Sequence, residues 1–400
     1  MTRPHAPQAP AYPFRACPEL HVEPEYARLR REEPITRVTL PYGGEAWLVT
    51  RYDDVRFVLS DSRFSRADSI RPGAPRFFEQ PVADGLGYLD PPEHTAVRRL
   101  LNRAFTARRV QAFRPRVQQI AEALLESPEC STPPVDLATA YAQPLAGRVV
   151  CEFVGVPYED SEKFAPFFDA VVSTTAFTPD QIQAAVVGVQ RYFTDLVAAE
   201  RRDPSDTFFG ELVRQNGQEG TLDDETLGNL GFGVVIAGYE TTSSQLCNFT
   251  YLLLTRPERL RALQAEPDRI PDAVEELLRY VPMLSYGGNP VRATQDVTVA
   301  GRLVRAGETV VPSNNAANRD EQVFAGPDEL DLTRRPNAHL AFHHGPHFCL
   351  GSQLARAELQ IGLRTLLERR PSLALDVPPE QVAWKQGSVL RAPAALPVRW

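Results

Sequence analysis

Four hundred residues, 43% hydrophobic and 24% charged, can bury a large core, which excludes a disordered chain and a small disulfide-stapled scaffold. A formal charge of −8 argues against a general nucleic-acid binder, whose phosphate contacts need a basic excess. The cysteines (Cys17, Cys130, Cys151, Cys247, Cys349) form no CxxC pair, against a disulfide framework or zinc ribbon, and no apolar run reaches the roughly 18–20 residues that cross a bilayer.

The Pro/Ala-rich first dozen residues lack the apolar stretch of a signal peptide, which predicts a loose segment on a cytoplasmic protein. Ile35–Leu40 and Ala46–Thr50 flank Pro41-Tyr-Gly-Gly44 and read as a β-hairpin. Helical spacing is expected over Pro92–Ala104, Ala112–Leu125, Pro179–Arg202, Leu222–Leu254, Pro257–Ala265, Pro271–Tyr280 and Gly351–Arg369. Between the last two, Val297–Val299, Arg302–Val304 and Glu308–Val311 alternate with Gly301 and Gly307 as short strands. Prolines are scattered and no linker or repeat interrupts the chain, so the prediction is one domain over 1–400. Its class is mainly α (α+β), one large helical domain with small sheets near both ends.

Chemistry concentrates in a few places along this order. Residues 94–121 hold seven arginines and no acid, a solvated basic face or a docking surface. In the long helix, Thr221 and Asp224 offer a capping box. Gly228, Gly231, Gly233 and Gly238 each cost about 1 kcal/mol against alanine, tolerable where something must approach the backbone closely. There Ala237-Gly-Tyr-Glu240-Thr241-Thr242 places a carboxylate and hydroxyls in an apolar run. One reading is that a threonine bonds back to the carbonyl four residues earlier while Glu240 faces solvent. Glu276-Leu-Leu-Arg279 reads as an i,i+3 pair of a surface helix.

The loop Phe342-His-His-Gly-Pro-His-Phe-Cys349-Leu-Gly351 runs straight into a helix, which puts Cys349 where free N–H groups favour a thiolate. A buried structural cysteine, a zinc site with His343, His344 and His347, a Cys349–His347 nucleophile and haem-thiolate ligation all remain open on this loop alone.

The loop resembles the cysteine-ligand loop of the cytochromes P-450, F-G-x-G-x-H-x-C-x-G, at Phe342, Gly345, His347, Cys349 and Gly351, with His343 where the family usually has glycine. Ala237-Gly-Tyr-Glu240-Thr241 likewise resembles the family's oxygen-activating segment, and the likeness runs from Ala46 to Trp400. It implies the P-450 fold and a monooxygenase with haem b, in which Cys349 is the proximal ligand of the iron. Ala237 and Gly238 would make room for O2, Thr241 would hydrogen-bond it, and Glu240 would join the proton path. His94 and Arg98, in Asp90-Pro-Pro-Glu-His94-Thr-Ala-Val-Arg98, and His339 are implied as propionate ligands. The family's R-x-A-x-x-D arginine is displaced: Val291 takes its place and Arg292 falls one residue late, which leaves open whether Arg292 reaches a propionate. Glu276 and Arg279 become a scaffold pair completed by Arg319 or Arg334.

The resemblance further implies a ferredoxin and ferredoxin reductase as electron donors, docking on Arg99, Arg103, Arg108 and Arg109, with no nucleic acid and no membrane. It implies hydroxylation or epoxidation of a mostly apolar small molecule, plausible as a natural-product intermediate. Ser69–Gly87 with Phe77 and Phe78, Phe164–Phe177 with Phe167 and Phe168, Val234, Met283–Tyr286 and Val389–Leu390 would approach that substrate. The alternatives are oxidative coupling or desaturation by the same oxidant, and a non-catalytic haem-binding or sensor protein.

Overall fold

The computed structural model describes residues 9–14, 20–79, 85–163, 178–220 and 222–400. The chain divides into two compact units, each assembled from separate segments. The first comprises residues 1–93, 284–329 and 338–348, the second 94–283, 330–337 and 349–400.

The first unit is built on a five-stranded sheet. The expected hairpin forms from Ile35–Leu40 and Gly44–Val49, paired Ile35↔Val49 through Leu40↔Gly44. Gly43 at its turn has φ +81°, and a Cβ there would lie 2.4 Å from the Ala74 carbonyl oxygen, so the turn requires glycine. Thr309–Pro312, Val291–Ala293 and Phe64–Ser65 extend the sheet in that order. Of the expected strand trio, Val297–Val299 and Arg302–Val304 instead pair with each other as a separate ribbon. The core gathers Ile35, Val49, Val55, Val58, Val310 and Leu340, and Tyr52–Ser60 lays a helix on it, tied by Tyr52 N–H to Asp320 Oδ2 at 2.8 Å.

The second unit is helical. Glu93–Ala104, Pro179–Arg202, Pro257–Ala265, Ile270–Tyr280 and Ser352–Arg369 follow the predicted periodicity to within a residue. The helix expected from Ala112 begins at Ala107, because Thr106 accepts from the Arg109 N–H at 3.2 Å and caps it upstream. Gln143–Val154 escaped the periodicity because it is buried on nearly all sides, so no polar face marks it. The helices Pro24–Glu32 and Phe208–Glu219 likewise carry no marked periodicity in the sequence.

Glu358 lies on the inner side of Ser352–Arg369, only 3% exposed, and burial pushes its carboxyl up to about 8. Near neutral pH the folded protein therefore keeps a proton that the unfolded chain, at about 4.5, has released. Stability contributed at this site is full below that lower value and is lost as pH rises towards 8. Glu358→Gln is expected to match the wild type at pH 5 and to exceed it at pH 8–9, by at most about 4–5 kcal/mol. Urea unfolding of both proteins across that range measures the difference.

Candidate active site

In the first unit the cysteine loop closes on itself through a turn of 3₁₀ helix, Gly345–His347. Gly345 has φ +70°, and a Cβ there would sit 2.6 Å from the Leu59 carbonyl oxygen, so the loop packs flush on the Tyr52–Ser60 helix only with glycine. His343 adopts the left-handed φ of +62°, a conformation glycine takes freely. Asn314 Nδ2 lies 3.3 Å from its Nδ1, and burial beside Arg66 and His347 pushes the imidazole down to about 3, so the ring is neutral. Phe342 is buried with its ring 5.9 Å from that of His339 and 6.5 Å from that of Phe348. His339 Nδ1 accepts from the Ala341 N–H at 3.2 Å.

In the second unit Cys349 is a free thiol three residues before the helix Ser352–Arg369, with Gly351 as N-cap. Burial raises its pKa, opposing the thiolate expected from the helix terminus alone. The Gly351 N–H, the Arg98 and Arg356 charges and the Ser352 N–H pull it back. Burial outweighs the two amide donors and two guanidinium groups in the free thiol, but the same groups would support a thiolate once a bound cation offset that burial, which fits a thiolate-ligated haem iron. No group of three His, Cys, Asp or Glu residues among the described residues could hold a metal, so the histidines of this loop do not gather with Cys349 as a zinc site would require. His94 is 2% exposed, unlike a residue of a solvated face, and Arg98 follows one turn later, half-buried.

The long helix runs Asp224–Leu254. Its cap is Asp223, whose Oδ1 accepts from the Thr226 N–H at 2.8 Å, in place of the expected Thr221–Asp224 box; Thr221 lies outside the described residues. Two of its glycines serve helix packing. A Cβ on Gly231 would fall 2.3 Å from the Phe209 ring, and one on Gly238 would fall 2.8 Å from Val150. Gly233 and Ala237, by contrast, are exposed in the middle of a largely buried helix, and Thr241 beyond them is half-exposed. At i, i+4 and i+8 they form one open stripe of small residues.

Thr241 Oγ1 donates to the Ala237 carbonyl at 2.6 Å, which is the back-bonding arrangement. Glu240 does not face solvent: it is 4% exposed, and its Oε2 accepts from Lys385 Nζ at 2.9 Å. Lys385 was not singled out in the sequence. The available signal was its rarity, since Lys163 and Lys385 are the only lysines among 43 basic residues. A small cavity beside it is lined by Gln143, Ser243 and Ser244.

Glu276 and Arg279 are fully buried, not a surface pair. Arg334 completes them through Nε to Glu276 Oε2 at 3.1 Å, whereas Arg319 turns to the Pro327 carbonyl at 3.1 Å. Arg292 stands between buried Val291 and Ala293 on its strand, so its side chain leaves by the other face and donates through Nε to the Gly307 carbonyl at 2.8 Å. Among the expected substrate-facing residues, Phe77 stacks on Tyr286 at 4.7 Å and packs against Tyr12 as core. Residues 80–84 and 164–177, with Phe164, Phe167 and Phe168, lie outside the described residues. Arg99, Arg103 and Arg108 are exposed, while Arg109 sits 3.8 Å from Asp206. Among the described residues no helix is long and apolar enough to cross a membrane.

A sulfur so placed on a mainly helical fold, with a buried acid beside an open helix stripe, is the donor arrangement of a haem-thiolate oxygenase. A family model for cytochrome P-450 matches residues 180–392. Nocardicin C N-oxygenase of Nocardia uniformis subsp. tsuyamanensis is 49% identical over 98% of both chains. Mycinamicin IV hydroxylase/epoxidase of Micromonospora griseorubida is 44% identical, also over 98% of both. A solved variant of the mixed-function P-450 MycG in complex with mycinamicin V superposes with a TM-score of 0.93 at 44% identity, covering 98% of this chain and all of that one. The chain belongs to the cytochrome P-450 family, and it is a P-450 monooxygenase.

Proposed function

We propose that this enzyme hydroxylates or epoxidises a mostly apolar natural-product intermediate, in the cytoplasm, with haem b held through Cys349. The observation that carries an oxygen-activating role is the buried Glu240, fixed by Lys385 and adjacent in sequence to Thr241 on the open stripe of the long helix. A protein that only bound haem would have no need of a buried ion pair at that point, and burying one is costly unless well paired.

Bound haem would supply the iron at which O2 is reduced by two electrons, and thiolate electron density favours O–O cleavage. His94, Arg98 and His339 would hold its propionates by charge-assisted hydrogen bonds. Phe342, His347 and Gly351 shape the loop that presents Cys349. Ala237 keeps side-chain bulk low where O2 must sit, whereas Gly238, which the resemblance also implied there, packs against Val150. Thr241, whose Oγ1 donates to the Ala237 carbonyl, would be the hydroxyl donor on the open stripe, and Glu240, held by Lys385 beside a small cavity lined by serines, would be the acid–base group that relays protons from solvent. Arg99, Arg103, Arg108 and Arg109 would steer an acidic ferredoxin, itself reduced by a ferredoxin reductase. The names of the two relatives, an N-oxygenase and a hydroxylase/epoxidase, support the substrate class.

Purified protein, reduced and exposed to carbon monoxide, is expected to show a strongly red-shifted Soret band that disappears in Cys349→Ser. A band that survives the substitution, or folded protein that takes up no haem when supplied with it, would overturn the assignment.

A further inference from the structure

The long helix carries a second stripe, turned away from the open one. Glu240, Ser244 and Asn248 follow at i, i+4 and i+8 and are 4%, 3% and 0% exposed. Against this stripe, within the second unit, lies the chain reversal of residues 383–394. It is closed by the Lys385 N–H to the Ala392 carbonyl at 3.0 Å and the Ala394 N–H to the Ala383 carbonyl at 2.7 Å. Two contacts fix the reversal on the helix: the Trp384 ring meets that of Tyr251 edge-on at 5.2 Å, and Asn248 Nδ2 donates to the Arg391 carbonyl at 2.8 Å. Lys385 is thereby delivered to Glu240.

The packing along this seam leaves a cavity lined by Ser244, Cys247, Lys385 and Ala392. A turn of π-helix, Ala138–Ala142, supplies another wall, since its first residue and the following Gln143 line the same space. Such turns are rare and collect at functional sites. The cavity leaves about 10 Å³ for the centre of a water, which is room for one molecule. Its lining is polar. Among the described residues Ser244 Oγ has no hydrogen-bond partner; a buried hydroxyl left so loses its hydration without return, and native proteins satisfy such groups with internal water. Lys385 Nζ has three donors, of which Glu240 engages one. The Lys385 side chain is 23% exposed and that of Glu240 only 6%, so the pair meets solvent at its lysine end.

We infer that this cavity binds a water held by Ser244 Oγ and Lys385 Nζ, and that this water is the port through which Glu240 is reprotonated. The water passes a proton to the Glu240 carboxylate as it takes one from solvent at the Lys385 end, so it is conserved and nothing else is consumed. Ser244 acts through the water and is a positioning residue. The inference rests on the acid–base role of Glu240 proposed above.

The test compares holoenzyme carrying Ser244→Ala with Ser244→Val, which also fills the cavity. Product formation, measured with a substrate found by its spin-state shift, is expected to fall about threefold to tenfold in Ser244→Ala, the range for one lost hydrogen bond. Ser244→Val should lose at least as much. The solvent deuterium isotope effect on turnover should rise in both, because proton supply becomes limiting. A second readout needs no turnover: with the hydroxyl bonded to water, Ser244→Ala unfolds at the wild-type urea concentration or below it. A raised midpoint would reveal a dry, orphaned hydroxyl and overturn the inference. Wild-type product formation in Ser244→Ala overturns it too. Slower turnover with an unchanged isotope effect means that Lys385 has merely been displaced, and the port is again refuted. Wild-type turnover in Glu240→Gln would instead defeat the acid–base reading itself, a separate and recognisable result.

Discussion

Glu276→Ala is expected to lower stability by about 3–5 kcal/mol, a large part of the 5–15 kcal/mol typical of a folded domain. One carboxylate here satisfies a whole neighbourhood. It accepts from Arg279 Nε and Nη2, both at 2.8 Å, from Arg334 Nε at 3.1 Å, from Asn337 Nδ2 at 3.0 Å and from the Asp331 N–H at 2.9 Å. Both side chains of the Glu276–Arg279 pair are fully buried, and Arg334 is nearly so. Truncation would deprive two buried guanidinium groups of the carboxylate they share. The adjacent Glu275, bonded to Arg356 and about a quarter exposed, is a control: Glu275→Ala should cost roughly 1 kcal/mol or less. Urea denaturation of the two variants gives the comparison. Similar losses at both positions would show that burial does not set the value of Glu276.

The second large effect is expected in the chemistry. Glu240→Gln should lower product formation by roughly 10²-fold, the lower range for removing a positioned proton donor, while haem content and the carbon monoxide spectrum stay unchanged. Lys385→Met removes the ammonium that holds Glu240 at 2.9 Å; a smaller loss, about tenfold, is expected, because the acid remains but its carboxylate is no longer fixed in place. Thr241→Ala should keep electron consumption and divert it to peroxide, because the hydroxyl to which the proposed function gives the proton transfer is gone. Peroxide yield, oxygen uptake and product, measured with a substrate found by its spin-state shift, separate these outcomes. Unchanged coupling in all three variants would favour a haem-binding role without oxygen activation.

Much of this was legible in the sequence because it is local. Helical periodicity marked Pro179–Arg202 and Pro257–Ala265 to the residue, since amphipathic spacing and an N-terminal proline act within a turn or two. The cysteine loop and the acid–alcohol segment were readable for the same reason: the chemistry needs those residue types at fixed short spacing. Illegible were features set by residues far apart in the chain. Glu240 was open to a solvent-facing reading until Lys385, 145 residues away, closed on it. Glu276 and Arg279 carried the pattern of a surface pair, and only the burial of their helix shows a charge network.

By itself, then, the sequence determined the helical class and marked the sulfur, the acid and the hydroxyl on which the proposed function rests, because each is written in neighbouring residues. Tertiary structure decided where charge goes. It chose Arg334 over Arg319 as the third partner of Glu276, gave Glu240 its lysine and sent Arg292 to Gly307. Which partner a long charged side chain meets depends on the strand register and helix faces that the whole fold imposes, and no spacing along the chain encodes that.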